Sequence, residues 1–114
     1  MTTIRVNRAD FRIEAEGHAG KAKPGEDIVC AGISALMQAL LNVLFREEED
    51  GYLTLDWYAE QNSAAIRIHA KPFNFRKETI RAYFRMTLMG LKAIEQNYGE
   101  YIKVIEEGQK DGDV

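Results

Sequence analysis

The chain has 114 residues, which predicts one domain, and its 46% hydrophobic and 29% charged residues are typical of a folded globular protein. A net charge of −3 argues against nucleic-acid binding through a generally basic surface. The single cysteine excludes an intramolecular disulfide and a thiolate-rich zinc site. The start of the chain lacks the apolar core of a signal peptide, and no uninterrupted apolar run approaches the roughly 18 residues of a membrane span. We therefore expect a cytoplasmic protein with a reduced thiol and no membrane partner.

The first quarter of the chain predicts a strand pair followed by a loop. Apolar and polar residues alternate in 3–7 and again in 11–16, which favours two half-buried strands joined as a hairpin. The stretch 17–26 contains three glycines and one proline and is predicted to be a loop. Asp27 is then predicted to be the N-cap of a helix.

The helix after Asp27 is predicted to run for about twenty residues, until the charged run that ends at Gly51. Its apolar residues cover more than one stripe, which predicts a helix buried on most sides. These residues are Ile28, Val29, Ile33, Leu36, Met37, Leu40, Leu41, Val43 and Leu44.

A second strand pair and a second helix are predicted to follow. Residues 52–58 and 64–70 read as strands, and Asn74 is predicted to cap a helix that stops at Gly99. The apolar positions of this helix recur at helical spacing: Ile80, Tyr83, Phe84, Leu88, Leu91, Ile94 and Tyr98.

The chain end and the element order complete the predicted architecture. Residues 101–105 fit either a last helical turn or a short edge strand, with the strand favoured. The order strand-strand-helix-strand-strand-helix predicts an α+β domain over residues 1–107, with an antiparallel sheet of about four strands and two main helices. The tail, 108–114, is predicted to be disordered.

The chemistry of the chain centres on its only cysteine, Cys30, which His18 precedes by twelve residues. If Asp27 is the N-cap, Cys30 is the third helical residue, where free amides and the helix dipole favour an anion by about 0.3–1 kcal/mol at an exposed site. A nearby imidazole favours the thiolate further, and the thiolate is the reactive form. The first-turn amides could also bind the oxyanion of a tetrahedral intermediate. These features predict a thiol nucleophile with His18 as its base or charged partner.

Several assignments stay open at the level of single residues. Asp27 either caps the helix or orients the imidazole of His18. Ser34 lies one turn after Cys30, and its hydroxyl either contacts the sulfur or substrate or bonds back to the Cys30 carbonyl. His69, in a predicted strand, is interpreted as a structural or surface residue.

Two other classes of function compete with catalysis. A non-catalytic interaction domain would bind a peptide without cleaving it. A redox-sensing thiol would remain oxidisable after loss of His18, whereas proteolysis would collapse.

The motif around the cysteine joins a glycine-histidine pair, a glycine-containing loop, an aspartate-x-valine-cysteine-alanine segment and a serine one turn later. It reads Gly17-His18-Ala19, Gly25, Asp27-Ile28-Val29-Cys30-Ala31 and Ser34. This pattern resembles the ribosomal-processing cysteine protease family called Prp. The similarity extends along the chain to Tyr101-Ile102-Lys103-Val104.

The resemblance implies a small dimeric α+β protease that needs no metal or organic cofactor. It implies that His18 and Cys30 form the catalytic dyad, and that the loop carrying Gly17, Gly20 and Gly25 moves to admit substrate. The implied substrate is the N-terminal leader of a large-subunit ribosomal protein, cleaved after aromatic residues. No nucleic acid or membrane is implied as a direct partner.

Dimerisation has one further hint in the sequence. Phe75, Met86 and Met89 lie outside the main apolar stripe of the second helix. A dimer interface would use them, although ordinary core positions are the interpretation that the sequence favours.

Overall fold

The computed structural model describes residues 1–17, 24–60 and 65–108, with side chains for all of these except residues 24–27. They form an α+β domain of five strands and two helices, which confirms the predicted fold class. The elements are β1 (Thr2–Asn7), β2 (Arg12–Glu16), α1 (Pro24–Glu49), β3 (Leu53–Glu60), β4 (Ala65–Pro72), a 3₁₀ turn (Asn74–Arg76), α2 (Lys77–Tyr98) and β5 (Ile102–Glu107).

The five strands form one sheet in the order β3-β4-β2-β1-β5. All neighbours are antiparallel except β5, which runs parallel to β1 with Ile102 opposite Thr2. The segment that fitted either helix or strand is therefore a strand, as favoured. It is one edge of the sheet, and β3 is the other.

Both helices cover the same face of the sheet. Alternate strand residues are buried there because successive side chains point to opposite faces. Packing between the helices is close: a Cβ on Gly32 would lie 3.0 Å from Ile94, and one on Gly90 would lie 2.8 Å from Leu36. The strand residues of this core are Ile4, Val6, Ile13, Ala15, Leu53, Ile68, Ala70 and Ile102.

Helix α1 begins at Pro24, so the prediction of Asp27 as its N-cap is wrong. Proline and glycine are common loop signals, which is why the sequence predicts a loop over this segment. Proline is well tolerated in the first helical turn, because the amide that it lacks would have no partner there. As a result Asp27 is the fourth helical residue and Cys30 the seventh.

The prediction that α1 is buried on most sides is also wrong. Its sheet-facing residues are buried, but Ile28 is 59% exposed, and Ala31, Ala35 and Ala39 are exposed on the outer side. By length and composition Ile28–Glu49 would suit a membrane span. Its buried side chains instead pack on the sheet, as in the core helix of a globular domain.

Helix α2 keeps its predicted end but not its predicted cap. Gly99 is the C-cap, whereas Arg76 occupies the N-cap position and Asn74 belongs to the preceding 3₁₀ turn. The core interpretation of Phe75, Met86 and Met89 is wrong, because their side chains are 75%, 79% and 51% exposed.

The remaining predictions concern the hairpin and the tail. Phe11 lies in the β1–β2 turn with φ 55° rather than in a strand, and its ring is buried in edge-to-face contact with Phe84. Gly108 is the last described residue, with its Cα against the Asn7 side chain. Residues 109–114, for which disorder was predicted, lie outside the described residues.

Candidate active site

A cavity of about 420 Å³ opens under the N-terminal half of α1, where β2 and β3 end and β1 and β4 begin. Both Cys30 and Ser34 line it from the helix. Cys30 is exposed to solvent as a free thiol. The structure therefore brings together two residues that the sequence had placed on one helix face, and it puts them over a hollow large enough for a side chain of a peptide.

The floor of the cavity is apolar. Ile33 and Met37 extend from α1, and Ala15, Ala59 and Ile66 come from three neighbouring strands. Ile33, Met37 and Ala15 are nearly fully buried, so these side chains belong to the core. An apolar floor with the thiol at its rim suits the binding of a hydrophobic or aromatic side chain next to that thiol.

The polar side of the rim carries a carboxylate. Glu60 lines the cavity at the end of β3, and the Tyr58 hydroxyl donates a hydrogen bond to its Oε2 atom over 2.5 Å. This hydrogen bond to a carboxylate raises the pKa of Tyr58 above its usual value. The Gln38 side chain lies on the helix side of the same rim.

Gly17 closes the strand side of the cavity and directly precedes His18. Its φ is +130°, and a Cβ there would lie 2.3 Å from the Met1 carbonyl oxygen. Only glycine fits this close approach without strain. Gly17 thus fixes the direction in which the chain leaves β2.

Several predicted site residues fall outside what the structure describes. His18 and Gly20 belong to residues 18–23, and Asp27 is described for its backbone only. Gly25 is part of α1 rather than of a loop. The roles predicted for these four residues, and the loop movement, remain predictions.

The position of Cys30 changes one chemical expectation. As the seventh helical residue it lies beyond the first four, whose amides have no partner within the helix. Its own amide is therefore not available for an oxyanion, and the helix dipole, which acts mainly within the first turn, contributes little there.

His69 lies away from this site. It projects from the open face of the sheet, opposite Arg12 and Asp56, with its Nε2 atom 3.7 Å from Asp10. This placement agrees with its interpretation as a surface residue. Within the described ranges, no group of three or more His, Cys, Asp and Glu side chains could hold a metal ion.

Sequence reasoning missed most of the cavity lining. The predicted site lacks Thr2, Gln38 and Glu60, and Met37 is predicted only as an apolar residue of the helix. Thr2 and Glu60 come from separate strands that only the sheet register brings beside α1. Gln38 alone carried a signal, because it follows Cys30 and Ser34 at four-residue intervals on α1.

An α+β fold with an exposed thiol beside an apolar cavity defines a candidate thiol hydrolase. The family model for the cysteine protease Prp matches residues 1–103. The chain therefore belongs to the Prp family, and it is a cysteine protease.

Individual relatives agree with this assignment. The chain is 26% identical to the ribosomal processing cysteine protease Prp of Mycoplasma pneumoniae, over 95% of this chain and 98% of that one. Its fold is similar to that of the essential ribosomal processing protease Prp from S. aureus, crystallised with a substrate peptide (TM-score 0.76, 22% identity, 94% of this chain and 100% of that one). The same protease with a covalently linked product peptide gives a TM-score of 0.74 at 24% identity, with the same coverage. A protein from Streptococcus mutans gives a TM-score of 0.70 at 24% identity, with 92% of this chain and 90% of that one covered.

Proposed function

We propose that the chain is an endopeptidase that removes the N-terminal leader of a large-subunit ribosomal protein in the cytoplasm, with Cys30 as nucleophile and His18 as its base. The observation that carries this proposal is the exposed Cys30 thiol at the rim of the apolar cavity. The family match supports catalysis over a non-catalytic interaction domain.

The proposed reaction is acyl transfer. His18 takes the thiol proton as Sγ of Cys30 attacks the carbonyl carbon of the scissile bond, which gives a tetrahedral oxyanion. Collapse of this intermediate breaks the C–N bond, and the leaving amine receives the proton from His18. Water then hydrolyses the thioester, which releases the leader and regenerates the thiol. No metal or cofactor takes part in this scheme.

Side chains on α1 are our candidates for oxyanion stabilisation, since the Cys30 amide is committed to the helix. The Ser34 hydroxyl lies one turn from Cys30 and lines the same cavity. We expect Ser34→Ala to lower kcat by about a hundredfold, the lower end of the range for loss of a hydrogen bond to an oxyanion.

Mass spectrometry of a leader-bearing peptide after incubation with the chain tests the proposal. We expect one cleavage that disappears in Cys30→Ala and in His18→Ala. An uncut peptide with wild-type chain would contradict the proposal. Cleavage that survives in His18→Ala would remove His18 from the mechanism and leave Cys30 in place.

We also propose that the chain acts as a homodimer through the outer face of its two helices, formed by residues 28–39 of α1 and 82–93 of α2. From Ile28 to Phe45 the sequence of α1 contains no charged residue. The exposed apolar residues of this outer face are Ile28, Ala31, Ala35, Ala39, Ala82, Met86, Met89 and Ala93. Exposed apolar residues on two neighbouring helices are typical of a protein interface, although Arg85 is also exposed within this stretch of α2.

Sedimentation of a variant with a charge in this outer face tests the dimer. We expect Met86→Glu to produce monomers, because pairing would bury two unpaired carboxylates. Thr54→Glu, on the open face of the sheet, is the control and should leave the assembly unchanged. A wild-type chain that sediments as a monomer would contradict this proposal.

Charges of both signs alternate on the open face, as in the Lys71–Asp56 and Arg12–Asp10 pairs, which supports the absence of a nucleic-acid partner.

A further inference from the structure

The edge strand β3 leads directly into the catalytic cavity. Its residues Ala59 and Glu60 line the cavity, and the strand then runs back along the flank of α1 as far as Leu53. Within the described ranges 1–17, 24–60 and 65–108, β3 pairs with β4 alone. An edge strand offers backbone N–H and C=O groups to a further strand.

The hydrogen bonds of the structure show which residues of β3 direct their backbone N–H and C=O groups toward this open edge. The amide of Leu55 donates to Oε2 of Glu48 on α1, over 2.9 Å, and the amide of Ala70, which is opposite Leu55, donates to Phe11 on the far side of β4. The backbone N–H and C=O groups of Leu55 are therefore directed away from β4. Because this direction alternates along a strand, Trp57 and Ala59 also direct their backbone groups outward.

A pair of aromatic side chains lies above this edge. Phe45 of α1 and Trp57 of β3 meet edge to face, with their ring centroids 5.4 Å apart. Although they contact each other, Phe45 remains 36% exposed and Trp57 50% exposed. The floor and flank between this pair and Cys30 are uncharged on the helix side, with Gln38 and Ser34 along α1.

We propose that this edge binds the peptide substrate as an added strand and that the Phe45–Trp57 pair is a second apolar subsite. The occupant is an extended peptide whose backbone pairs with Trp57 and Ala59. Side chains two residues apart lie on the same face of a strand, about 6.6 Å from each other. A substrate side chain that enters the cavity beside Ala59 thus places the side chain two positions away against Trp57.

This inference rests on the proposed function, which supplies the reaction as peptide cleavage. What it adds is which peptides the chain binds. Backbone pairing to an edge strand supplies affinity without sequence preference, and pockets for alternate side chains supply the preference. The chain would therefore select peptides with two apolar or aromatic residues at a spacing of two, one in the cavity and one on the aromatic pair.

The fluorescence of Trp57 provides a direct test, because it is the only tryptophan in the chain. The inactive Cys30→Ser variant is titrated with two peptides that differ only at the residue two positions from the cavity residue, phenylalanine or alanine. We expect the phenylalanine peptide to bind about tenfold more tightly, to shift the emission to the blue, and to slow hydrogen exchange at the Trp57 and Ala59 amides. The amide of Tyr58, which is directed toward β4, serves as the internal control.

A second measurement separates this subsite from the catalytic step. In the Cys30-containing chain, Trp57→Ala should raise KM for the phenylalanine peptide by about tenfold while leaving kcat nearly unchanged, the pattern of lost uniform binding. Thr54→Ala, on the same strand but the opposite face, should change neither constant, and Trp57→Phe should restore most of the affinity.

Two outcomes would overturn the proposal. Cleavage that is equal for both peptides and unaffected by Trp57→Ala would remove the subsite and leave the protease function intact. An emission shift that depends on protein concentration without peptide would assign the pair to a contact between copies of the chain. Peptide that binds with the expected shift but is never cut would instead contradict the protease function and support the added strand.

Discussion

The two ends of α1 are built in opposite ways. At the C-terminal end Glu47 is 5% exposed, and its carboxylate accepts two hydrogen bonds from the guanidinium of Arg76, at 2.7 and 2.9 Å. The same turn accepts the backbone amide of Tyr52 and, through Glu48, that of Leu55. At the N-terminal end the helix covers a cavity and presents an exposed thiol.

This difference teaches how a small domain can hold an open site. The charged and hydrogen-bonded end fixes α1 against β3 and the start of α2. The described side chains of the other end, from Ile28 onward, leave a cavity open beneath the helix. The helix transmits the position of its fixed end along its length, because an α-helix is stiff over these distances.

Removal of the proposed nucleophile gives the largest expected effect, and it tests the open end of α1 by itself. Cys30→Ala should lower the rate of peptide cleavage by more than about 10³-fold, the scale seen when a covalent nucleophile is lost. Since the side chain is exposed, the midpoint of thermal unfolding should stay within about 2 °C of wild type. Peptide cleavage is followed by mass spectrometry and unfolding by circular dichroism. Residual cleavage at a tenth of the wild-type rate would assign the nucleophile elsewhere.

Substitutions at two glycines with positive φ compare the cavity side of the domain, at Gly17, with the C-terminal end of α1, at Gly51. Gly17→Ala combines backbone strain with overlap against the Met1 carbonyl oxygen, whereas Gly51→Ala, at φ +84°, would meet nothing within 4 Å. We expect Gly17→Ala to cost about 3 kcal/mol of unfolding free energy and to impair cleavage, and Gly51→Ala to cost about 1 kcal/mol with cleavage retained. Urea unfolding measures both. Equal losses for the two variants would show that the close approach at Gly17 is relaxed in solution.

The charged end is tested by Glu47→Gln. Glutamine keeps one acceptor oxygen and has an NH2 donor in place of the other, so one hydrogen bond from Arg76 is lost and the remaining one is no longer assisted by the negative charge. This should lower the unfolding free energy by about 2 kcal/mol. Glu49→Gln, at an exposed neighbouring position, is the matched control and should change stability by less than about 0.5 kcal/mol. If the two variants are equally stable in urea, Glu47 does not hold this end of the helix.

Lowering the pH is expected to give the smallest of these changes in unfolding free energy. The hydrogen bonds from Arg76 lower the pKa of Glu47 below its ordinary value of 4.5. In the unfolded chain the carboxyl takes up its proton at higher pH than in the folded one, so the stabilisation is complete above pH 4.5 and is lost as the pH falls through the lowered pKa. The unfolding free energy of wild type should fall more steeply below about pH 5 than that of Glu47→Gln. Parallel pH profiles would contradict this account.

Much of the fold was accessible from local patterns. Period-two alternation predicted the first strand pair, strand-favouring composition predicted the second, and helical spacing predicted α2 to its end at Gly99. The start of α1 was mispredicted because Pro24 and Gly25 are loop signals on average, and a proline in the first helical turn cannot be told from one in a loop without the following contacts.

The sequence by itself determined the order of elements, the family motif and the candidate nucleophile, because each depends on residues close together in the chain. Only the tertiary structure decided which side of each helix remains exposed, that β5 runs parallel to β1, and that Ala15, Ala59 and Ile66 meet under Cys30. These outcomes depend on strand register and helix packing. Both are set by contacts between residues far apart in sequence, which no local pattern encodes.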